Sequence, residues 1–249
     1  MPPVIDTRHS KEESAIAALN ESAESYAPKG RLYDWMKSLA DFSIALILFV
    51  LALPVMAVAA ILIRITSRGP AIYAQVRLGR GSRPFQIYKL RTMIHRCEDR
   101  TGPRWCVARD PRITPIGRIL RKTHIDELPQ LWNVLRGDMS LVGPRPERPE
   151  IVDELERHLP DYLGRLMVKP GITGLAQIQL PPDTDINSVR EKLNLDLCYV
   201  QRYGALLDFR VLLGTVLYLA GVSYAGVRKA MALQTEQSAP ELRPLPIKG

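Results

Sequence analysis

Asp126 and Glu127 stand side by side, and a short way on Arg145 is held between Pro144 and Pro146. An ionised carboxylate can attack phosphorus, a second can hold a divalent cation, and an arginine can grip phosphate oxygens through paired N–H donors. These are the parts of a phosphoryl-transfer site. On a helix, consecutive side chains point about 100° apart. Asp126 and Glu127 therefore form no side-by-side acid dyad, but they can approach one phosphate group from different angles. The flanking prolines fix the backbone at Arg145, which leaves its guanidinium little entropy to lose on binding. Arg121, ahead of the carboxylates, is a second phosphate-gripping candidate. Lys89 and Arg91 alternate along an expected strand and so share a face, an electropositive wall for an anionic substrate. Each residue also has a plainer reading: a helix cap for Asp126, a first-turn glutamate for Glu127, a surface salt bridge for Arg145, a solvated strand edge for Lys89 and Arg91.

Around these residues the sequence reads as short elements. Pro115 to Lys122 is a basic helical stretch, and Asp126 falls at the N-cap of a following helix that ends at Gly137. Charge at a helix N-terminus is favoured, which would keep Asp126 ionised. Ile72–Arg77 and Phe85–Leu90 flank Gly79-Arg80-Gly81-Ser82, the pattern of a β-hairpin. Pro149 to His158 and Ser188 to Tyr203 show helical spacing. Lys169-Pro170-Gly171-Ile172-Thr173-Gly174 is a tight loop whose glycines permit close backbone approach to a ligand.

Phe42 to Ile63 contains no charged residue over about 22 positions, or ~33 Å of helix, enough for a bilayer core. Pro54 sits inside it, where it removes a hydrogen bond and crowds the preceding turn. Both flanks are basic: Lys29, Arg31 and Lys37 before, Arg64, Arg68, Arg77 and Arg80 after. The positive-inside tendency gives no reason to put the two ends on opposite sides. A proline-broken helix that enters the membrane and returns satisfies both observations. Val211 to Val227 is again uncharged, weakened by Gly214, Gly221 and Gly226, and reads as an interfacial helix.

The net charge of +8 calls for an anionic partner. Nucleic acid is the weakest candidate, because no zinc spacing, basic heptad region or aromatic-studded basic strand is present. Three cysteines, Cys97, Cys106 and Cys198, make no CxxC pair, which fits a reducing compartment rather than a disulfide framework. His95, Cys97 and Cys106 lack a fourth partner for a zinc site. Residues 1–30 are polar and read as a tail with a nascent helix at Lys11–Glu24, and the proline-rich end from Ala239 reads as disordered.

The run Thr123-His124-Ile125-Asp126-Glu127-Leu128-Pro129-Gln130-Leu131-Trp132-Asn133, continued by Gly143-Pro144-Arg145-Pro146-Glu147, closely resembles the signature of the bacterial sugar transferases. These are polyprenyl-phosphate sugar-1-phosphate transferases, the small monotopic phosphoglycosyl transferases. The resemblance extends from Arg31 to Gly226 and includes Lys89-Leu90-Arg91-Thr92-Met93 and Lys169 to Gln177. It implies Asp126 as nucleophile, Glu127 as ligand of Mg²⁺, and Arg145, with Arg121, Lys89 and Arg91, as phosphate-binding residues. Asp196 would support them. It also implies a membrane helix broken at Pro54. Two departures stand out: Leu53 replaces the serine that often precedes that proline, and Ile178-Gln179-Leu180-Pro181-Pro182 replaces a small polar segment.

The expected fold is therefore α+β: a helix-rich monotopic membrane protein with an N-terminal proline-broken re-entrant helix, a small β-hairpin and interfacial amphipathic helices. The expected division is a tail at 1–30, the membrane helix at 31–68, a catalytic domain at 69–227 and a flexible tail at 228–249. The resemblance implies a UDP-sugar donor, a polyprenyl (undecaprenyl) phosphate acceptor, release of UMP and a site on the cytoplasmic face of the bacterial inner membrane. Basic flanks suit anionic lipids, and a homodimer is compatible with all of this. Two alternatives stay open: a non-catalytic scaffold for glycan assembly, and a metal-dependent lipid phosphatase.

Overall fold

The computed structural model describes residues 31–97 and 110–233. The expected helix at Lys11–Glu24, Cys106, and the tail beyond 233 lie outside the described residues. The fold is mixed: seven α-helices, two two-stranded sheets and three 3₁₀ turns among the described residues.

Helix α1 runs from Arg31 to Thr66 without interruption. The sequence predicts two helices parted at Pro54, but the helical backbone continues through it. Proline removes one donor, the bond to the carbonyl four residues back, and the bonds on either side can carry the helix past that single loss. Helix α1 is long and apolar enough to cross a membrane, and little of it is buried. Its covered positions recur at helical spacing: Asp41, Ala45, Phe49, Ala52, Met56, Ala59 and Ile63. The remaining faces expose large apolar side chains, among them Ile47, Leu51, Val58 and Ile65. Only one stripe of the helix is used inside the protein, and the apolar remainder is the kind of surface that lipid covers.

Strands β1 (Ile72–Leu78) and β2 (Pro84–Leu90) form the expected hairpin. A 3₁₀ turn at Arg80–Ser82 joins them, with Gly81 and Ser82 at φ 65° and 57°. Gly81 takes that left-handed conformation without the Cβ penalty that Ser82 carries.

The described chain divides into two compact units. The first, here the signature unit, comprises Leu39–Val76 and Gln86–Leu141. It contains most of α1, helix α2 (Pro115–Lys122), a 3₁₀ turn at Ile125–Glu127 and helix α3 (Gln130–Leu135). Ala59 and Ile63 of α1, Leu90 of β2 and Leu120 of α2 make its apolar core. Phe49 of α1 lies against Trp132 of α3, with ring centroids 5.9 Å apart, and Asp41 accepts a 2.6 Å bond from Ser140.

Asn133 fastens α3 to strand β2. Its side chain is fully buried. It donates to the Gln86 carbonyl at 2.7 Å and accepts from the Tyr88 N–H at 3.1 Å. A single side-chain amide thus replaces a missing strand neighbour.

The second, helical unit comprises 31–38, Arg77–Phe85 and 142–233 of the described residues. It holds α4 (Pro149–His158), a 3₁₀ segment at Pro160–Met167, α5 (Ile186–Arg202), α6 (Ala205–Leu219) and α7 (Tyr224–Ala230). Val152, Leu155 and Leu159 interlock with Val189, Leu193 and Leu197 around Tyr162. Those spacings are the helical periodicity visible in the sequence. The apolar stretch expected as one interfacial helix at 211–227 is two helices. It begins earlier, at Ala205, and breaks where Gly221 adopts φ 90°, a conformation open to glycine and strained for other residues.

The loop expected at 169–174 contains a strand, β4 (Gly171–Thr173), paired beside β3 (Ser140–Val142). Gly143 N–H donates to Thr173 at 2.9 Å and Gly171 N–H donates to Pro144 at 2.9 Å. The backbones meet so closely that a Cβ on Gly171 would stand 2.1 Å from the nitrogen of Gly143.

Replacing Asn133 with leucine would leave the Tyr88 N–H and the Gln86 carbonyl without these partners. We expect a loss of about 1–3 kcal/mol in unfolding free energy, measured by chemical denaturation in detergent. An unchanged midpoint would show that Asn133 does not hold α3 on β2.

Candidate active site

The Asp-Glu pair sits on a platform that begins at Thr92. The Thr114 N–H donates to the Thr92 carbonyl at 3.0 Å, and the Thr114 hydroxyl caps α2 by accepting from Gly117 N–H at 3.0 Å. Helix α2 presses so closely on this point that a Cβ at Gly117 would fall 2.0 Å from the Thr92 carbonyl oxygen. Arg121, on the last turn of α2, donates through Nε to the Thr92 hydroxyl at 2.9 Å. The expected phosphate-gripping arginine is thereby oriented by the motif Lys89-Leu90-Arg91-Thr92-Met93.

After α2 the chain reverses at His124, which adopts a left-handed conformation with φ 55°. Asp126 and Glu127 then form a single 3₁₀ turn rather than the start of α3. Asp126 is thus not the N-cap expected from the sequence: Pro129 occupies that position, and no side chain caps it. The following helix does end at Gly137, whose φ is 82°. In a 3₁₀ turn, successive residues diverge by about 120°, which separates the two carboxylates further than an α-helix would. Asp126 is buried. Glu127 receives a 3.0 Å ion pair from Lys89, and both side chains are less than one-fifth exposed.

Arg91 has different partners from Lys89. Strand β2 stops at Leu90, so the alternation that would place both side chains on one face ends before Arg91. Its buried guanidinium donates to the carbonyls of Ser67, at 2.8 Å, and of Arg68. These carbonyls follow the C-terminus of α1, where a cation is favoured. Burial, with Arg64 nearby, lowers its pKa below the usual arginine value.

Arg145 belongs to the helical unit, and its backbone is held at every neighbouring position. The carbonyl of Pro144 accepts from Gly171 N–H at 2.9 Å, and that of Glu147 accepts from Leu78 N–H at 2.9 Å. The Pro146 carbonyl accepts from Arg77 at 3.2 Å, whose Nη1 also pairs with the Glu147 carboxylate at 3.0 Å. The Arg145 carbonyl itself accepts from Arg165 Nη2 at 2.9 Å. The prolines restrict φ, as the sequence predicts, while four consecutive carbonyl bonds supply the remaining rigidity.

Arg165 is buried and reaches three partners. Beyond Arg145 it pairs with Asp196 at 2.6 Å and donates to the Tyr162 hydroxyl at 2.5 Å. Burial pushes the Tyr162 phenol far above its ordinary range, so it remains neutral. Burial likewise raises the pKa of the Asp196 carboxyl, against the pull of Arg165. Sequence inspection named Asp196 as a support but missed Arg165, Tyr162, Thr92 and Asn133. A lone arginine among leucines carries no motif, and its role appears only when Asp196 and the Arg145 carbonyl are brought to it.

Three cations counted among the membrane flanks are also committed inside the helical unit. Lys37 pairs with Asp208 at 2.6 Å, Arg77 with Glu147 at 3.0 Å, and Arg80 with Asp34 at 3.5 Å.

Among the described residues, no three His, Cys, Asp or Glu side chains gather into a metal cage. Mg²⁺ rarely needs one: it commonly takes one or two carboxylates and completes its shell with phosphate oxygens and water. The adjacent carboxylates of Asp126 and Glu127 fit that donor chemistry.

Residues 32–221 match the bacterial sugar transferase family. A UDP-N-acetylgalactosamine-undecaprenyl-phosphate N-acetylgalactosaminephosphotransferase of Aeromonas hydrophila is 40% identical over 185 residues, which are 74% of this chain and 44% of that protein. A UDP-glucose:undecaprenyl-phosphate glucose-1-phosphate transferase of Caulobacter vibrioides is 44% identical over 187 residues, 74% of this chain and 69% of that protein. An exopolysaccharide production protein of Rhizobium leguminosarum is 41% identical over 183 residues, 70% of this chain and 90% of that protein. The chain thus spans less than half of the Aeromonas relative. The first two relatives carry the names of different sugars at similar identity, so similarity alone does not choose between donors.

Truncating Arg165 to alanine would strand Asp196 as a buried, unpaired charge, at a cost of about 3–5 kcal/mol. Asp196→Ala would do the same to Arg165. The double substitution should cost clearly less than the sum of the two. Additive losses in denaturation measurements would show that the pair is not coupled.

Proposed function

Because the chain belongs to the bacterial sugar transferase family, we propose that it moves a sugar-1-phosphate from a UDP-sugar to undecaprenyl phosphate and so initiates a membrane-linked glycan such as an exopolysaccharide, an O-antigen or a glycoprotein glycan. The observation that carries this reading is the buried Asp126 beside Glu127, on a turn tied to the Lys89–Met93 motif by Lys89, with Arg121 of the preceding helix bonded to Thr92 of the same motif. A scaffold needs none of these groups.

In this reading Asp126 attacks the β-phosphorus of the donor, and the bond to UMP breaks. The aspartyl phosphosugar that results is attacked by an oxygen of the polyprenyl phosphate, which returns the Asp126 carboxylate and yields a diphosphate-linked sugar. Glu127 would hold Mg²⁺, which when bound supplies positive charge against the diphosphate. Lys89 holds Glu127 in place before donor and cation arrive. Arg121 and Arg145 bind phosphate oxygens, and the fixed backbone of Arg145 makes its contribution one of pre-organised charge. Arg91 serves by fixing the end of α1 against the motif that carries Lys89.

The acceptor phosphate lies at the headgroup level of a bilayer, so the site must work there. The exposed apolar faces of α1 provide the attachment. We place both ends of α1 on the cytoplasmic face of the inner membrane, with the continuous helix bending at Pro54, where its hydrogen-bond ladder lacks one donor. Asp41 and Ile63, near opposite ends of its apolar stretch, both meet residues of the 86–141 segment of the signature unit, Ser140 for the first and Leu90 and Leu120 for the second. That pattern suits a helix entering from one side better than one crossing to the other.

The test combines purified protein in nanodiscs with Mg²⁺, undecaprenyl phosphate and a panel of UDP-sugars. UMP should appear with one donor and fall by about 10³-fold or more in Asp126→Asn. Release of UDP would overturn the aspartyl route, and free sugar phosphate without lipid product would indicate a phosphatase. Separately, cysteines introduced at Ser38 and Ser67 should both label from the cytoplasmic side in vesicles of known orientation. Labelling from opposite sides would refute the topology.

A further inference from the structure

Of the cations that flank the apolar stretch of α1, Lys37, Arg77 and Arg80 are paired inside the helical unit. Arg64 and Arg68, at the other end, lie exposed, and Ile65 between them is 75% exposed. The carbonyls of Ser67 and Arg68 are already served by Arg91, so neither side chain is required as a cap for α1. The pKa of Arg91 is lowered by its burial and by the charge of Arg64. The cations gathered here therefore repel rather than balance one another.

Helix α2 presents the same combination. It packs inward through Gly117 and Leu120, and Leu120 shares one apolar core with Ala59 and Ile63 of α1. Its outer face carries Arg118, Ile119 and Lys122, all exposed, Ile119 to 58%. Positions 118 and 122 stand about one helical turn apart, so two cations bracket an exposed isoleucine. Among the described residues, none of Arg64, Arg68, Arg118 and Lys122 makes an ion pair. The described carboxylates of the signature unit are engaged elsewhere: Asp41 with Ser140, Asp110 with Arg112, Glu127 with Lys89 and Asp138 with Arg136, while Asp126 is buried. Cations beside exposed aliphatic side chains suit the boundary between headgroups and acyl chains. The bilayer that covers α1 continues into this patch, whereas a soluble acidic partner would answer the charges without explaining Ile65 and Ile119.

We propose that the outer face of α2, together with Arg64, Ile65 and Arg68, lies against the headgroups of anionic membrane lipid, with the four cations at the phosphates and the two isoleucines among the upper acyl chains. The proposal rests on the membrane placement argued above. It uses none of Asp126, Glu127, Arg121, Lys89, Arg91 or Arg145. Its consequence reaches the candidate site all the same. Helix α2 is fastened to Thr92 through Thr114 and Arg121 and leads, after Lys122, into the turn of Asp126 and Glu127. Its contact with the headgroups fixes the height of that turn at the level of an acceptor phosphate.

The test uses the full chain in nanodiscs of phosphatidylcholine alone or of phosphatidylcholine mixed with phosphatidylglycerol. Hydroxyl-radical oxidation, read residue by residue by mass spectrometry and referred to α4, reports which side chains meet water. Ile119 and Ile65 should be oxidised in phosphatidylcholine discs and protected when phosphatidylglycerol is present. Arg118→Gln with Lys122→Gln should shift the balance of covered to open α2 about 30-fold toward open. The thermal midpoint should stay unchanged, because both side chains are exposed. Equal oxidation of Ile119 in the two discs, or protection by phosphatidylglycerol that the double variant keeps, would overturn the proposal. Protection that appears only when a UDP-sugar is added would also overturn it, by assigning the face to the donor. Leu51 of α1 reads the membrane placement separately and should resist oxidation in both discs. Oxidation of Leu51 would sink that placement, whereas a protected Leu51 with an Ile119 indifferent to phosphatidylglycerol would sink only this inference.

Discussion

The constraint on which much of this structure depends is that the backbone around its candidate site residues cannot satisfy itself. The segment 144–147 is neither a strand nor a helix, yet its backbone is held in one conformation around Arg145. Its carbonyls are satisfied one by one, by Gly171, Arg165, Arg77 and Leu78. Two of those donors are guanidinium groups with carboxylate partners of their own. A charged donor makes a stronger bond than a neutral one, and here it also fixes two groups at once. The helical unit is therefore organised around cations used as main-chain clamps.

The signature unit solves the same problem with smaller groups. Asp126 and Glu127 lie on one 3₁₀ turn, which has few bonds of its own and needs support from outside. Lys89 holds the Glu127 carboxylate, Arg121 is held by Thr92, and Asn133 ties the following helix to the strand that carries Lys89. Arg91 then secures the end of α1 to the same motif. The candidate site and the packing are coupled here, since the motif that carries Lys89 also bears the packing of α1 and α2. Such coupling explains why the turn at Asp126 and Glu127 can be short and irregular: its rigidity is supplied by neighbours rather than by its own hydrogen bonds.

Helix α1 shows how one element can serve two solvents. Its narrow covered stripe packs against the protein, and its wide apolar remainder faces outward. A soluble protein would reverse that balance, with charged residues on the outer face. The same inversion recurs on α6. Where two helices expose leucine and phenylalanine yet engage their aspartates with the protein, the bilayer is the medium that makes the pattern stable.

The sequence by itself determined the elements whose signals are local. Pro115–Lys122 and Pro149–His158 follow from proline starts and helical spacing, the hairpin from its turn residues, and the end of α3 from Gly137. It also singled out Asp126, Glu127 and Arg145 as candidates, because they sit in one long continuous signature. What only the tertiary structure decided was how those residues are held. The turn at Asp126 is 3₁₀ because Pro129 and His124 shape the chain on either side, and Arg91 leaves the wall because β2 ends one residue earlier. The strand at Gly171–Thr173 forms because a distant partner at Ser140–Val142 completes its bonds. Arg165 acquires a role only when residues 145, 162 and 196 converge on it. Periodicity and capping act within a few residues and are written in the chain. Buried charge pairs and borrowed hydrogen bonds join positions far apart in sequence, and only folding brings them together.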